Sequence, residues 1–405
     1  VAKLLVIAPG CDKEDVGESW VGHQWVHRLA RSHQVTLLSY YKRGKVPPSR
    51  QLAGVRVVDW PEPPLVGRLE RLNSMLKPGY PPFHFRARRW LRGALAAGER
   101  FDLAYQPVPV AMRYPCPAAG LGIPYVIGPV GGSLASPSAF SGEEGTAAWY
   151  VGLRSLDRLR MRWDPQLRRT YSGAACVLGI APYVEEFLRP VPLRRFEVMS
   201  ETGIEALPGS VDRSGRTGDV RLLYVGRLVR TKGARDAIRA MARLRDLPVV
   251  LDVVGEGSDR AACQALAAEL GLSPRVRFHG WVPRERTADF YRAADVFVFP
   301  SYREPGGNVV FEAMGFGLPL VVCERGGPGN VVDEASGMTL PAVSPDQLAG
   351  DIATAVATLV REPQLRLSMG AAARRRVADI ALWDRKLERM ESLFGEIIED
   401  SHQPV

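Results

Sequence analysis

Two carboxylates, Glu304 and Glu312, stand eight residues apart in the run FPSYREPGGNVVFEAMGFGLP, residues 299–319. The alternating apolar residues before it, Ala294 to Phe299, predict a buried strand, and the pattern from Asn308 onward predicts a helix. Glu304 then lies in the loop before the helix and Glu312 one turn inside it. Gly306 and Gly307 let backbone approach a ligand closely. Asn308, Val309 and Val310 are expected to offer unpaired N–H groups at the helix start, an end that attracts phosphate. One short segment thus combines acceptors for sugar hydroxyls with donors for an anion.

A second cluster precedes it. Gly226-Arg227-Leu228 follows the apolar run Arg221 to Val225, and Lys232-Gly233 opens the next helical pattern. Loops at the carboxyl ends of strands in an open α/β sheet are where ligands bind. A guanidinium there suits diphosphate oxygens, and Lys232 adds a compact positive charge.

The elements that must position these groups alternate along the chain. Lys3–Gly10, Gln34–Tyr40, Val55–Trp60, Asp102–Gln106, Pro124–Pro129, Ala174–Gly179 and Phe196–Met199 predict strands, with helices at Glu18–Ala30, Phe83–Arg100, Leu153–Arg169 (broken at Pro165) and Ala181–Leu188. The stretch from Pro61 to Pro82 carries no clear pattern. The Gly-, Pro- and Ser-rich residues Ala206 to Gly218 have linker composition, after which strand–helix alternation restarts. The expected organisation is α/β: a first domain over residues 1–205, completed by an amphipathic final helix within 381–405, and a second over 206–380.

Composition bounds the function. The chain has 405 residues, 46% of them hydrophobic, and carries 53 basic against 44 acidic residues, a net charge of +9. That excess is dispersed, and no zinc-finger or RNA-binding signature accompanies it, so nucleic acid is not an expected partner. Five scattered cysteines in apolar context predict buried, reduced thiols. The first apolar run is too short for a signal peptide and no stretch is long enough for a membrane span, so a cytoplasmic protein is expected. Two basic segments with tryptophan, around Trp90 and Trp163, suggest contact with an anionic membrane face. His23 and His27 lie one turn apart on the first helix, a spacing more typical of packing than of metal ligation.

Taken in order, Tyr224-Val225-Gly226-Arg227-Leu228 with Lys232-Gly233, Val253-Val254-Gly255-Glu256-Gly257, Phe278-His279-Gly280-Trp281-Val282 and the Glu304/Glu312 pair resemble the motifs of retaining family-4 glycosyltransferases of the GT-B fold. The resemblance implies two doubly wound Rossmann-like domains facing across a cleft, with the last helix, begun at Trp383-Asp384, crossing back to the first. It implies a nucleotide-sugar donor, UDP- or GDP-linked, and a hydroxyl acceptor of glycoconjugate biosynthesis, free or lipid-linked. Arg227, Lys232 and Glu304 take the catalytic roles, with Glu304 on the donor sugar. Glu312 binds the ribose diol, and Gly306, Gly307, Asn308, Val309 and Val310 bind phosphate and sugar. Gly280 and Val282 face the base, and Gly17 approaches the donor phosphates. Glu18, Ser19, Gly131, Gly132 and Ser133 lie on the acceptor side.

No Asp-x-Asp motif occurs, so no metal or other cofactor is expected. Where relatives carry histidines at N-domain strand ends, this chain has Gly128-Pro129 and Tyr105-Gln106, and no His-assisted step carries over. A nucleotide-sugar epimerase or a phosphorylase on a similar scaffold is the alternative. A nicotinamide dehydrogenase is disfavoured by the missing G-x-G-x-x-G. A non-catalytic subunit is disfavoured by the intact charged set.

Overall fold

The computed structural model describes residues 1–15, 17–63, 77–144 and 156–402. They form two units: Val1–Ser133, Trp149–Glu201 and Leu387–Val405 in the first, Leu134–Ala148 and Thr202–Lys386 in the second.

Unit 1 runs β1 (Lys3–Ile7), α1 (Glu18–Leu29), β2 (Gln34–Tyr41), β3 (Arg56–Pro61), α2 (Tyr80–Ala96), β4 (Leu103–Gln106), β5 (Tyr125–Val130), α3 (Leu156–Trp163), α4 (Pro165–Ser172), β6 (Cys176–Gly179), α5 (Tyr183–Leu188) and β7 (Phe196–Val198). All strand pairs are parallel, in the order β3-β2-β1-β4-β5-β6-β7. The chain order reverses between β1 and β4, so the switch point lies beyond Ile7 and Gln106. The helix expected at Phe83 starts three residues earlier, because Pro81 and Pro82 fit a first turn that needs no N–H partner. The expected helix from Leu153 is described from Leu156 and is two helices. Asp164 separates them, its carboxylate capping the Gln166 and Leu167 N–H groups at 2.9 and 3.3 Å.

Unit 2 runs β8 (Val220–Val225), α6 (Ala234–Ala242), β9 (Val249–Val254), α7 (Arg260–Glu269), β10 (Val276–Gly280), α8 (Arg284–Ala293), β11 (Val296–Phe299), α9 (Asn308–Gly315), β12 (Leu320–Cys323), α10 (Gly326–Val331), β13 (Gly337–Leu340), α11 (Pro345–Arg361) and α12 (Pro363–Ile380). Its parallel sheet has the order β10-β9-β8-β11-β12-β13. Here β8 and β11 are the adjacent pair at which the order reverses. The last helix, α13 (Trp383–His402), begins in unit 2 and belongs to unit 1 from Leu387, where Phe394 packs edge-on against Tyr105.

The inner strands of both sheets are buried on both faces, as near-continuous Val/Ile/Leu runs require, while the edge strands β3, β7, β10 and β13 are only partly buried. All five cysteines are buried and free, and burial raises the Cys116, Cys176 and Cys263 thiols to about 12, which leaves them protonated and inert.

Residues of Leu134–Ala148, expected in the first domain, cluster instead with unit 2. The reason is Phe140, fully buried against the unit 2 core with its ring 4.2 Å from that of Tyr302.

Gly233 holds the turn into α6. It has φ +79, and a Cβ there would collide with the Pro300 carbonyl at the end of β11. Gly233→Ala is expected to destabilise unit 2 by about 2–4 kcal/mol, combining the left-handed penalty with overpacking. Gly218, at φ +90 with open space around it, provides the comparison: Gly218→Ala should cost only about 1 kcal/mol. Urea unfolding of both variants checks the difference.

Candidate active site

The unit 2 site is built where β8 and β11 end. After β8, Gly226-Arg227-Leu228 turns over the sheet edge and is fastened to the loop after β9. Gly226 N–H donates to Val254 O at 3.0 Å, Leu228 N–H to Glu256 O at 2.8 Å, and Asp259 N–H to Leu228 O at 2.8 Å. Gly255-Glu256-Gly257 is therefore a backbone buttress for the arginine loop. Arg227 itself is exposed, and its guanidinium has no ion-pair partner among the described residues.

A 3₁₀ turn, Arg230–Lys232, follows. Lys232 is buried, and its ammonium is hydrogen-bonded to the Glu304 carboxylate, 72 residues further along the chain. The two charged groups assigned separate sequence roles therefore meet at one point above the switch.

The loop after β11 is fixed from several sides. The Ser301 hydroxyl donates to Thr231 O at 3.1 Å, Gly327 N–H to Glu304 O at 3.1 Å, and Arg325 Nε to Tyr302 O at 3.1 Å. Gly307 caps α9 in the left-handed region at φ +92. Of the three N–H groups expected to be unpaired, Val310's is not, since it donates to Gly307 O at 2.9 Å in a tightened first turn. Those of Asn308 and Val309 have no protein acceptor among the described residues. The Asn308 side chain is held by the Thr202 hydroxyl. Glu312, half-buried one turn on, accepts from the Tyr291 hydroxyl at 3.0 Å. Gly280, beside Val282, already gives its carbonyl to Gly255 N–H at 2.8 Å, which narrows what it can offer a base.

A network not legible in the sequence supports Lys232. Arg230, two residues before it, is buried against the paired rings of Phe140 and Tyr302, at 5.4 and 5.5 Å from their centroids. Its guanidinium is bonded to Asp236 at 2.5 and 2.9 Å and to Glu143 at 2.8 Å. Burial alone would lower Arg230; the hydrogen bonds and charge of Asp236 outweigh it and hold the guanidinium above the usual arginine value. Arg239 also pairs with Glu143, and Arg303, next to Glu304, reaches Ser136 and Glu144. The one sequence signal was Phe140, a lone aromatic in a polar, Ser- and Pro-rich run.

Unit 1 presents the remaining residues in the loops that follow β1 and β5. Gly17, at φ +67, leads into α1, and Glu18 in the first turn is ion-paired with Lys77. Ser19 packs against Gly10 beyond β1. Beyond β5, Gly131 N–H donates to Val110 O at 2.7 Å and Gly132 N–H to the Tyr183 hydroxyl at 3.1 Å. The Ser133 hydroxyl donates to Asp157 at 3.2 Å, and Asp157 pairs with Arg113 at 2.8 Å. This loop is thus shaped by protein contacts on its N–H side. His23 and His27 stack at 5.9 Å, and burial, then the His27 charge, lowers His23 below the usual histidine value.

Two Rossmann-like units, the second with cations, a helix start and paired glutamates over its switch point, define a protein of the GT-B class. Residues 212–376 match the family model for glycosyl transferases group 1, and residues 17–199 that for the glycosyl transferase 4-like domain. Each half of the chain thus matches a glycosyltransferase domain family, the first of the 4-like type, on a GT-B fold. D-inositol 3-phosphate glycosyltransferase of Corynebacterium jeikeium is 35% identical over 190 residues, 44% of each chain. The lipopolysaccharide core biosynthesis glycosyltransferase LpsE of Rhizobium meliloti is 42% identical over 107 residues, 26% of this chain and 30% of that one. The chain thus spans less than half the length of these curated relatives. Among solved structures, sucrose-phosphate synthase of Thermosynechococcus elongatus aligns with TM-score 0.65 and 20% identity over 99% of this chain and 100% of that one. Anabaena HepE in complex with UDP aligns with TM-score 0.62 and 17% identity over 98% and 100%.

Proposed function

We propose that this chain is a retaining, metal-independent glycosyltransferase that moves a sugar from a UDP- or GDP-sugar to a hydroxyl acceptor in glycoconjugate assembly. The observation that carries the reading is the meeting of Lys232 and Glu304 above the β8/β11 switch, beside the Asn308 and Val309 N–H groups. Diphosphate oxygens accept from those N–H groups, Lys232 and Arg227, while Glu304 takes hydroxyls of the donor sugar. The bond from the anomeric carbon to phosphate breaks, and its electron pair leaves on the diphosphate. The acceptor oxygen bonds the same carbon, and its proton passes to the departing phosphate oxygen. Arg227 and Lys232 supply the charge that stabilises the leaving group. The acceptor is held by unit 1 loops carrying Glu18, Ser19 and Ser133.

The HepE likeness supports UDP as the nucleotide, and the lipopolysaccharide relatives support a glycoconjugate acceptor, carried on a lipid. Among the described residues no helix is long and apolar enough to cross a membrane.

The test is a thermal-shift panel of UDP-, GDP- and ADP-sugars, repeated with EDTA. The true donor raises the melting temperature by mass action, by about 2.7 kcal/mol of stability at one hundred times its Kd, and EDTA leaves that shift intact. A panel without any shift would refute donor binding; a shift abolished by EDTA would refute metal independence.

A further inference from the structure

We propose that the outer face formed by α2 and α3 of unit 1 docks on an anionic lipid bilayer. On α3, Asp157 and Met161 face the core. Leu156, Leu159 and Trp163, at helical spacing on the other side, are 46, 57 and 68% exposed. Arginines 158, 160 and 162 flank this ridge and are all exposed. On α2 the core residues are Phe83, Ala87 and Leu91, and the outward side shows Phe85, 64% exposed, with Arg86, Arg89 and Arg92. The two faces adjoin, because Phe85, Leu156 and Arg160 line one cavity of about 350 Å³.

The charge of this face is predominantly basic. Helix α2 contains no acidic residue, and the only one in α3, Asp157, is buried and paired with Arg113; Asp164, just beyond α3, pairs with Arg160 at 2.9 Å, so Arg158 and Arg162 carry the charge of α3. Apolar tips alternate with guanidinium groups and do not form a continuous apolar patch. That is the pattern a headgroup layer satisfies: guanidinium groups bind phosphate oxygens while leucine, phenylalanine and tryptophan side chains reach the acyl boundary. Trp90, expected to share this role, does not. It is half-buried, packed with Phe101 at 6.5 Å and covered by Arg56 at 5.6 Å. The cavity beside Phe85 and Leu156, lined also by Tyr80 and Tyr114, would open toward the bilayer. If the proposed transfer reaction holds, a lipid-carried acceptor enters there.

Co-sedimentation of the full chain with vesicles, without donor or acceptor, tests the surface separately from the reaction. Recovery with vesicles holding about 30% phosphatidylglycerol should exceed that with phosphatidylcholine alone by about tenfold, and should fall as salt rises. Leu159→Glu with Trp163→Glu, and separately Arg158→Glu with Arg162→Glu, should each reduce it about tenfold at unchanged melting temperature. Val343→Glu, at a 64% exposed position in unit 2, should leave it unchanged. Equal recovery from both vesicle types, or undiminished binding by the two double variants, would overturn the proposal. So would a dimer in light scattering that Trp163→Glu dissociates without any vesicle binding, which would assign the face to self-association.

Discussion

Lys232→Ala is expected to lower kcat by about 10²–10³, the loss typical when one preorganised donor to a developing anion is removed. Two effects act in the same direction. The variant loses a cation beside the leaving diphosphate. It also leaves the Glu304 carboxylate, mostly buried, without the ammonium that now neutralises it. An unpaired carboxylate next to a diphosphate repels the charge that the reaction builds. Lys232→Arg should recover little, because a planar fork on a longer stem does not replace a compact charge in a buried position. Glu304→Gln supplies the decisive comparison. If part of the Lys232→Ala defect is repulsion from Glu304, the double variant will be less impaired than the product of the two single losses. Steady-state kinetics at saturating donor, with melting temperatures to control for folding, measure all four forms. A Lys232→Ala enzyme within about threefold of wild-type kcat would remove Lys232 from leaving-group stabilisation.

The same pair shows how far the sequence could be read. Local pattern is short-range information, and it located what is local. The buried strand Val296–Phe299, the helix from Asn308 and the eight-residue offset of Glu304 and Glu312 all follow from periodicity and turn residues. The α/β alternation likewise gave two parallel Rossmann-like sheets. The contact between Lys232 and Glu304 depends on β8 and β11 being neighbours, which is a property of strand order and not of either segment. Nothing in the local sequence sets Arg230 apart from a surface cation. Only the tertiary placement of Phe140 and Glu143, from a segment expected in the other domain, shows it buried and committed to structure. Val310 was misjudged for a smaller reason: the left-handed Gly307 turns its carbonyl back to that N–H. The edge strand Gly337–Leu340 went unnoticed because GMTL is too short to show a period and only its ends are buried.

Glu312→Ala is expected to raise the dissociation constant for the donor by about 10–100-fold, from the loss of one or two charge-assisted hydrogen bonds to ribose hydroxyls at about 1.5–3 kcal/mol in all. The fold should survive. The core face of α9 consists of Val310, Phe311, Ala313 and Met314, none of which changes, and alanine is the better helix former. The Tyr291 hydroxyl, 3.0 Å from Glu312 Oε2, orients the carboxylate from below. Tyr291→Phe should therefore weaken donor binding only a few-fold, and Glu312→Gln, which keeps shape but not charge, should fall between the two. The order of effects carries the argument, since a merely structural role for Glu312 would track melting temperature instead. A donor lacking the ribose 2′-hydroxyl makes the assignment chemical. Wild type should bind it about tenfold more weakly than the parent donor, whereas Glu312→Ala should barely distinguish the two. Discrimination that persists in Glu312→Ala would mean that another group reads the ribose, and Glu312 would then lose its place in the donor site.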